Sequence, residues 1–225
     1  LFRSRRPSVR HQLGNKMTNS IAKEDLRVVA ISGSLRSTGY TCKALKIALE
    51  GARELGAQTQ LILLNDYDLV FVDGRDKAEY PTGVHRLRED ITSAQGIILG
   101  TPEYHGSFSG VLKNALDLMG FDEFGGKMWG LVGVAGGSLG AVNALNSLRM
   151  IGRTLHAWVV PEQASISEAW KHFDEHGQTR DETTRQRLMD VGRQVARFAY
   201  LHTSKQMQEF LRLWEKAPEN PGGDY

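Results

Sequence analysis

Cysteine is nearly absent from this chain, which has one, Cys42, among 225 residues. A single cysteine excludes an internal disulfide and any metal site built from several thiolates. Long apolar runs are missing as well, since no stretch approaches the roughly 20 apolar residues that cross a bilayer. These absences predict a soluble, cytoplasmic protein without a membrane span. A hydrophobic content of 40% over this length favours one domain with a substantial core.

Acidic residues are missing from the first sixteen positions, which carry five basic ones: Arg3, Arg5, Arg6, Arg10 and Lys16. Because the whole chain has a formal charge of +2, residues 17–225 carry −3. An arginine-rich segment without acid is typical of a nucleic-acid-binding arm or a targeting leader. Met17 is typical of a natural start, so we expect residues 1–25 to be a basic, disordered extension and expect no nucleic-acid partner. If residues 1–16 are a transit leader instead, the protein is organellar.

The stretch from Gly96 to Asp117 organises the rest of the pattern. Its apolar run, Ile97–Leu99, has the length of a strand that is covered on both faces, and Gly100–Pro102 predicts the end of that strand. Tyr104 and His105 are therefore expected on a short loop at the carboxyl end of a central strand. Open α/β sheets bind their ligands at such an edge.

A polar loop, Gly33–Gly39, lies between a predicted first strand, Leu26–Ser32, and a helix predicted over Tyr40–Leu55. A glycine-containing loop in this position presents backbone amides and the positive end of a helix dipole to an anion. Arg36 can bind a phosphate through a bidentate fork, and three hydroxyls can each donate one bond, those of Ser34, Thr38 and Thr41. The loop matches neither the dinucleotide nor the Walker pattern, which favours a terminal monophosphate. An ordinary polar turn is the alternative.

Three more strands complete the pattern, and they are predicted at Gln58–Leu64, Lys127–Val134 and His156–Val160, the last closed by Pro161. After Lys127–Val134 comes another glycine loop with Gly136, Gly137 and Ser138, and glycine lets a backbone approach a flat ligand closely. Five strands alternating with helices indicate a flavodoxin-like, doubly wound, five-stranded parallel sheet in a single α/β domain.

This domain is expected to span residues 26–202, and a C-terminal helix extension with a polar tail is expected over 203–225. Thr179 and Glu182 form a predicted capping box for the last core helix. The glycine-rich segment Gly120–Gly126 is expected to be a mobile or interface loop.

One motif competes for a different function. His172 and His176 match H-x-x-E-H, in which two histidines on one helix face hold zinc. Gly177 follows at once, and the stretch is predicted to be a loop before a capped helix. We therefore expect no metal site.

Three segments, ISGSLRSTGY, TPEYHGSFSGVLKNALD and GVAGGSLGAVNAL, together resemble the NADPH-dependent FMN reductase family, which includes quinone, azo-dye and chromate reductases. The resemblance implies that the FMN phosphate is held by Ser34, Arg36, Ser37, Thr38 and Thr41. It implies that the isoalloxazine lies between Pro102, Glu103, Tyr104 and His105 on one side and Gly136, Gly137 and Ser138 on the other. Family members often have serine and asparagine in place of Gly39 and Thr41, which shifts phosphate contacts toward Ser37 and Thr38. Asparagine is also common at the position of His105.

The resemblance further implies ping-pong transfer of two electrons from NADPH, or NADH, through bound FMN to a small acceptor. That acceptor is a quinone, azo dye, free flavin, ferric chelate or chromate. No side chain is obligate for catalysis, and Tyr104 and His105 are candidates that line the acceptor site. A homodimer or homotetramer is expected. The alternatives are a flavodoxin-like electron carrier that binds FMN without oxidising NADPH, and a scaffold that has lost the cofactor. Flavodoxins are usually strongly acidic, and a charge of −3 over residues 17–225 argues against the carrier.

Overall fold

Short apolar runs form the strands of one sheet. The computed structural model describes residues 25–215, and the predictions for residues 1–24 and 216–225 lie outside this range. The strands are β1 (Arg27–Ser32), β2 (Gln58–Leu63), β3 (Gly96–Tyr104), β4 (Ser107–Phe108), β5 (Met128–Val134) and β6 (Trp158–Ile166). Five run parallel in the order β2-β1-β3-β5-β6, and β4 pairs antiparallel with the end of β3. With β4 left out, this is the 2-1-3-4-5 order of flavodoxin-like sheets.

Helices cover both faces of the sheet. They are α1 (Tyr40–Glu54), α2 (Thr82–Thr92), α3 (Gly110–Asp117), α4 (Phe121–Phe124), α5 (Val142–Thr154), α6 (Ala169–His172), α7 (Glu182–Thr203) and α8 (Lys205–Glu215), with 3₁₀ turns at Leu64–Asp66 and Lys77–Glu79. One layer holds α1 and α7, and the other holds α2, α3 and α5. Alternate residues of β1 face the two layers, Val28 and Ala30 the first, Val29 and Ile31 the second.

This arrangement confirms the predicted doubly wound α/β fold. The prediction of five strands omits only β4, which has two residues and is too short to show a pattern of its own. Across residues 25–215, no helix combines the length and the apolarity that crossing a bilayer requires.

The predicted end of the central strand at Gly100–Pro102 is wrong, because β3 continues to Tyr104. Gly100 belongs to the sheet, where a Cβ would lie 2.6 Å from the Cδ1 atom of Leu45 on α1. This glycine therefore serves close packing of a helix and not a turn. Beyond Gly100, β3 keeps β5 as its parallel neighbour while β1 has ended, and such a position tolerates the missing N–H of Pro102.

The predicted end of the last strand at Pro161 is wrong for a related reason. β6 runs from Trp158 to Ile166 at the edge of the sheet. Its pairing with β5 shifts register around Pro161, since Trp129 pairs with Val159 and Leu131 with Gln163. A bulge on an edge strand accommodates a proline without ending the strand.

The predicted capping residue of the last core helix is also wrong. Asp181, and not Thr179, caps α7, because its carboxylate accepts a hydrogen bond from the amide of Thr184 at 2.7 Å.

Within Gly120–Gly126, the helical turn α4 buries Phe124 against Trp129, with ring centroids 5.0 Å apart. The segment therefore contributes to the core and is not only a loop.

The contact between α1 and α7 depends on two glycines. A Cβ at Gly192 would lie 1.8 Å from the carbonyl oxygen of Ala48, and a Cβ at Gly51 would lie 2.1 Å from that of Met189. Each helix therefore lies directly against the backbone of the other. This contact fixes α1, and the start of α1 carries the loop Gly33–Gly39.

We predict that Gly192→Ala destabilises the fold by about 1–3 kcal/mol, because two backbones must separate. This is a net value, since the cost of separating the backbones is partly offset by the gain of about 1 kcal/mol that alanine brings to a helix interior. Urea unfolding monitored by circular dichroism measures the effect. Gly110→Ala is the control, since a Cβ there has no neighbour within 4 Å. Equal unfolding midpoints for the two variants would contradict the close contact.

Candidate functional site

The carboxyl ends of β1, β3 and β5 lie side by side and carry three connections. We call them the first loop (residues 33–39), the hairpin (residues 103–108) and the third loop (residues 135–141). The amide of Gly33 donates to the carbonyl oxygen of Gly100 at 2.7 Å, and the hydroxyl of Ser109 donates to the carbonyl oxygen of Gly33 at 2.6 Å. The first loop is therefore joined directly to β3, at Gly100, and to the start of α3, at Ser109.

The first loop leads into the amino terminus of α1. The helix has no side-chain cap and no acidic residue in its first turn. Ser34 is buried, and its hydroxyl accepts from the amide of Arg36 at 3.2 Å. The guanidinium of Arg36 is exposed and has no ion pair or hydrogen bond with any residue of the described range. The loop therefore combines an available cation with the uncapped end of a helix, which is the chemistry of an anion site.

The remaining predicted phosphate residues lie close by in the chain but in two different environments. Ser37 and Thr38 are exposed in the first loop, whereas Thr41 is buried in the first turn of α1. Beneath the loop, the thiol of Cys42 lies 3.4 Å from the carbonyl oxygen of Arg36 and 3.1 Å from the hydroxyl of Ser32. The lone cysteine thus packs under the loop and supports it.

The hairpin closes through a two-residue turn, His105-Gly106. Both residues have positive φ, 52° for His105 and 75° for Gly106, as a type I′ turn requires. Tyr104 is the last residue of β3 and pairs with Ser107, so it lies on a strand and not on the loop that the sequence predicts. Its side chain is 54% exposed, and His105 is exposed beside it.

The third loop is held from one side and open on the other. The amide of Ala135 donates to the carbonyl oxygen of Ile166 at 2.8 Å, and the amide of Glu168 donates to that of Gly137 at 3.1 Å. A Cβ at Gly136 or Gly137 would meet no atom within 4 Å, and Ser138 is exposed beside them. The glycines leave a bare backbone surface of the kind that a flat ring can approach.

Two residues that sequence reasoning did not connect join the hairpin to the third loop. The side chain of Phe108 packs against the small cluster of Ala135, Ala141 and Ala144. The carboxylate of Glu103 accepts a hydrogen bond from the amide of Ala144 at 3.1 Å. The resemblance implies that Glu103 lines the ring, whereas its carboxylate contacts the first turn of α5. No local pattern could reveal this pairing, because the partners are 41 positions apart.

The two histidines of the H-x-x-E-H motif lie in different environments. His172 ends α6, and its Nδ1 lies 3.0 Å from a carboxylate oxygen of Asp181. This hydrogen bond lowers the pKa of the Asp181 carboxyl below its usual value. His176 lies on the following loop, exposed beside Glu175. Residues 25–215 contain no group of three His, Cys, Asp or Glu side chains placed to hold a metal ion.

Comparisons with known proteins place the chain among flavin enzymes. The profile of the family described as NADPH-dependent FMN reductase matches residues 26–171. The chain is 34% identical over 168 residues to an NAD(P)H-dependent FMN reductase of Pseudomonas aeruginosa, covering 72% of this chain and 89% of that protein. It is 30% identical over 189 residues to an NADPH azoreductase of a Bacillus species, covering 83% of this chain and 98% of the other.

A solved structure shares the fold. It is the flavoenzyme NAD(P)H:(acceptor) oxidoreductase of Paracoccus denitrificans, which superimposes with a TM-score of 0.68 at 24% sequence identity. The match covers 79% of this chain and 98% of that one.

Proposed function

The chain belongs to the NADPH-dependent FMN reductase family, and from this premise we propose that it transfers two electrons from NADPH, through FMN bound at the three-loop edge, to a small acceptor. The family match confirms the resemblance that three sequence motifs predict. The observation that carries the proposed site is the meeting of the first loop, the hairpin and the third loop at one edge of the sheet.

The first loop is the proposed phosphate site. The guanidinium of Arg36 and the uncapped first turn of α1 supply positive charge, and Ser34, Ser37 and Thr38 supply hydroxyls. Thr41 is proposed to act from the first turn of the helix. No acidic residue lies in that turn to repel a phosphate.

The ring of FMN is proposed to lie between the hairpin and the third loop, with Pro102, Tyr104 and His105 on one side and the backbone of Gly136, Gly137 and Ser138 on the other. When bound, FMN supplies hydride and electron-transfer chemistry between NADPH and the acceptor. The amides of Gly136 and Gly137 can stabilise negative charge at the ring edge, as preorganised donors do elsewhere. No side chain of the chain is assigned as an obligate acid or base.

The acceptor is proposed to be flat and conjugated, such as a quinone or an azo dye. Tyr104 is more than half exposed, and Leu139 on the third loop is 91% exposed, so the edge offers an open, partly apolar surface. Such a surface suits a stacking acceptor better than a ferric chelate or chromate, which are strongly hydrated. Free flavin is also flat and remains in the proposed class.

We also propose a cytoplasmic homodimer or homotetramer. Exposed apolar side chains support self-association, namely Phe121 on α4 and Phe210 and Leu213 on α8. The single cysteine, Cys42, is buried and unpaired, as is usual in a reducing compartment.

An enzyme and an electron carrier differ in their reaction with NADPH. We predict that FMN-loaded protein loses its visible flavin absorbance within the first seconds of anaerobic mixing with NADPH and regains it when a quinone is added. Stopped-flow absorbance measures both phases. Protein that retains FMN yet keeps its absorbance with NADPH and with NADH would support the carrier and contradict the proposal.

We predict that Arg36→Ala raises the Kd for FMN about 10–100-fold. The reason is that hydrogen bonds to a charged group contribute about 1.5–3 kcal/mol each. Titration of apoprotein followed by flavin fluorescence measures the Kd. Arg153→Ala is the matched control, because Arg153 is exposed in the last turn of α5 and its guanidinium also has no described partner. Equal effects of the two substitutions would argue against Arg36 as a phosphate ligand.

We predict that His105→Ala lowers kcat/KM for the acceptor about fivefold, because one hydrogen bond is lost. The substitution does not abolish FMN binding. His105→Asn separates the imidazole from the backbone, because asparagine accepts a positive φ more readily than alanine does. Steady-state rates with quinones and azo dyes, together with the FMN content of each variant, provide the measurement. Complete loss of bound flavin from His105→Asn would contradict this role.

A further inference from the structure

The side chains of Glu103 and Phe108 reach the same turn of α5. The two residues are paired across the β3–β4 ladder, so their side chains lie on one face of the hairpin. The next pair, Tyr104 and Ser107, lies on the other face. One face of the hairpin therefore contacts α5, and the opposite face carries the exposed side chain of Tyr104.

Glu103 supplies the polar part of this contact, because its carboxylate bonds to a backbone amide at the start of α5. The amides in the first turn of α5 have no partners within the helix, and its cap residue, Ala141, provides no side-chain bond. The carboxylate of Glu103 accepts from one of these amides, that of Ala144, at 3.1 Å.

The apolar half lies beside it. Phe108 packs against the cluster that Ala144 forms with Ala135 and Ala141, the two ends of the third loop. At the tip of the hairpin, a Cβ at Gly106 would lie 4.0 Å from the side-chain nitrogen of Asn143. The hairpin thus lies along the first turn of α5, and within residues 25–215 the bond that the Ala144 amide donates to Glu103 is the one direct hydrogen bond between these two segments.

We propose that Glu103 is a positioning residue: its carboxylate holds the hairpin against α5 and so sets the gap between the hairpin and the third loop. The inference rests on the proposed function, because that gap is the proposed site of the FMN ring. Glu103 acts through the position of Tyr104 and His105 and does not contact the ring through its carboxylate. This differs from the ring-lining role that the family resemblance implies.

Two substitutions separate position from charge. Glu103→Gln keeps the length of the side chain and an oxygen that accepts a bond, but removes the charge. Glu103→Asp keeps the charge, but is one methylene too short to reach the amide of Ala144. Glu89→Ala, at an exposed position on α2, is the control for a lost carboxylate elsewhere.

The first measurement is amide hydrogen exchange of Ala144 in the apoprotein, followed by NMR. We expect exchange about tenfold faster in Glu103→Asp, the effect of one lost hydrogen bond, and little change in Glu103→Gln and in Glu89→Ala. The second measurement is the Kd for FMN, which we expect to rise about tenfold in Glu103→Asp and less than about threefold in Glu103→Gln.

The reverse order, with Glu103→Gln impaired and Glu103→Asp normal, would show that the charge matters and would overturn the positioning role. Faster exchange in Glu103→Asp with unchanged FMN affinity would also overturn it. If the wild-type protein binds no FMN, the proposed function fails, and the exchange measurement still decides whether Glu103 holds the hairpin.

Discussion

The bonds at Gly33 are the constraint on which the site depends. Its amide donates to the carbonyl oxygen of Gly100 within the central strand, and its carbonyl oxygen accepts from the hydroxyl of Ser109, which follows the hairpin. A Cβ at Gly33 would lie 2.9 Å from the carbonyl oxygen of Gly100, so only glycine allows this approach without displacement of the backbone. The backbone of Gly33 is therefore held to β3 and, through the Ser109 hydroxyl, to the start of α3, and the exposed side chains of the loop remain available for a ligand.

The fold uses glycine in two different ways. At Gly51, Gly192 and Gly100, a missing side chain lets helices approach another backbone or the sheet closely. At Gly136 and Gly137, a Cβ would meet no atom of the protein. Close packing explains the first group. The second group has no packing role within the described chain, which is the expected condition where a flat ligand supplies the missing contact.

Local patterns in the sequence predict the strands, the main helices and the order of the three loops. These features depend on neighbours a few positions apart, which a single sequence displays. The exceptions depend on the sheet. Pro102 and Pro161 each stand inside a strand, because one lies where a parallel neighbour has ended and the other lies at a bulge on the edge. A proline in the sequence shows that one backbone N–H is missing, but it does not show whether a neighbouring strand is present to accept a hydrogen bond at that position.

The site is predicted less completely than the fold. The sequence predicts which loops meet, since parallel strands place their carboxyl ends at one edge. It does not predict what holds them, because the contacts of Glu103 and Ser109 join residues 41 and 76 positions apart. The sequence places Glu103 in the hairpin, and its backbone does lie there. Its carboxylate, however, bonds to the amide of Ala144 on α5, which the sequence does not predict.

Hydrogen–deuterium exchange of the whole protein with and without FMN tests the central claim most directly. If one FMN is held by three loops, a single saturating equivalent slows exchange together in residues 33–41, 101–106 and 135–140, while the core strands are unchanged. Protection limited to one of these segments, or located along α7 or α8, would contradict a shared flavin site at this edge.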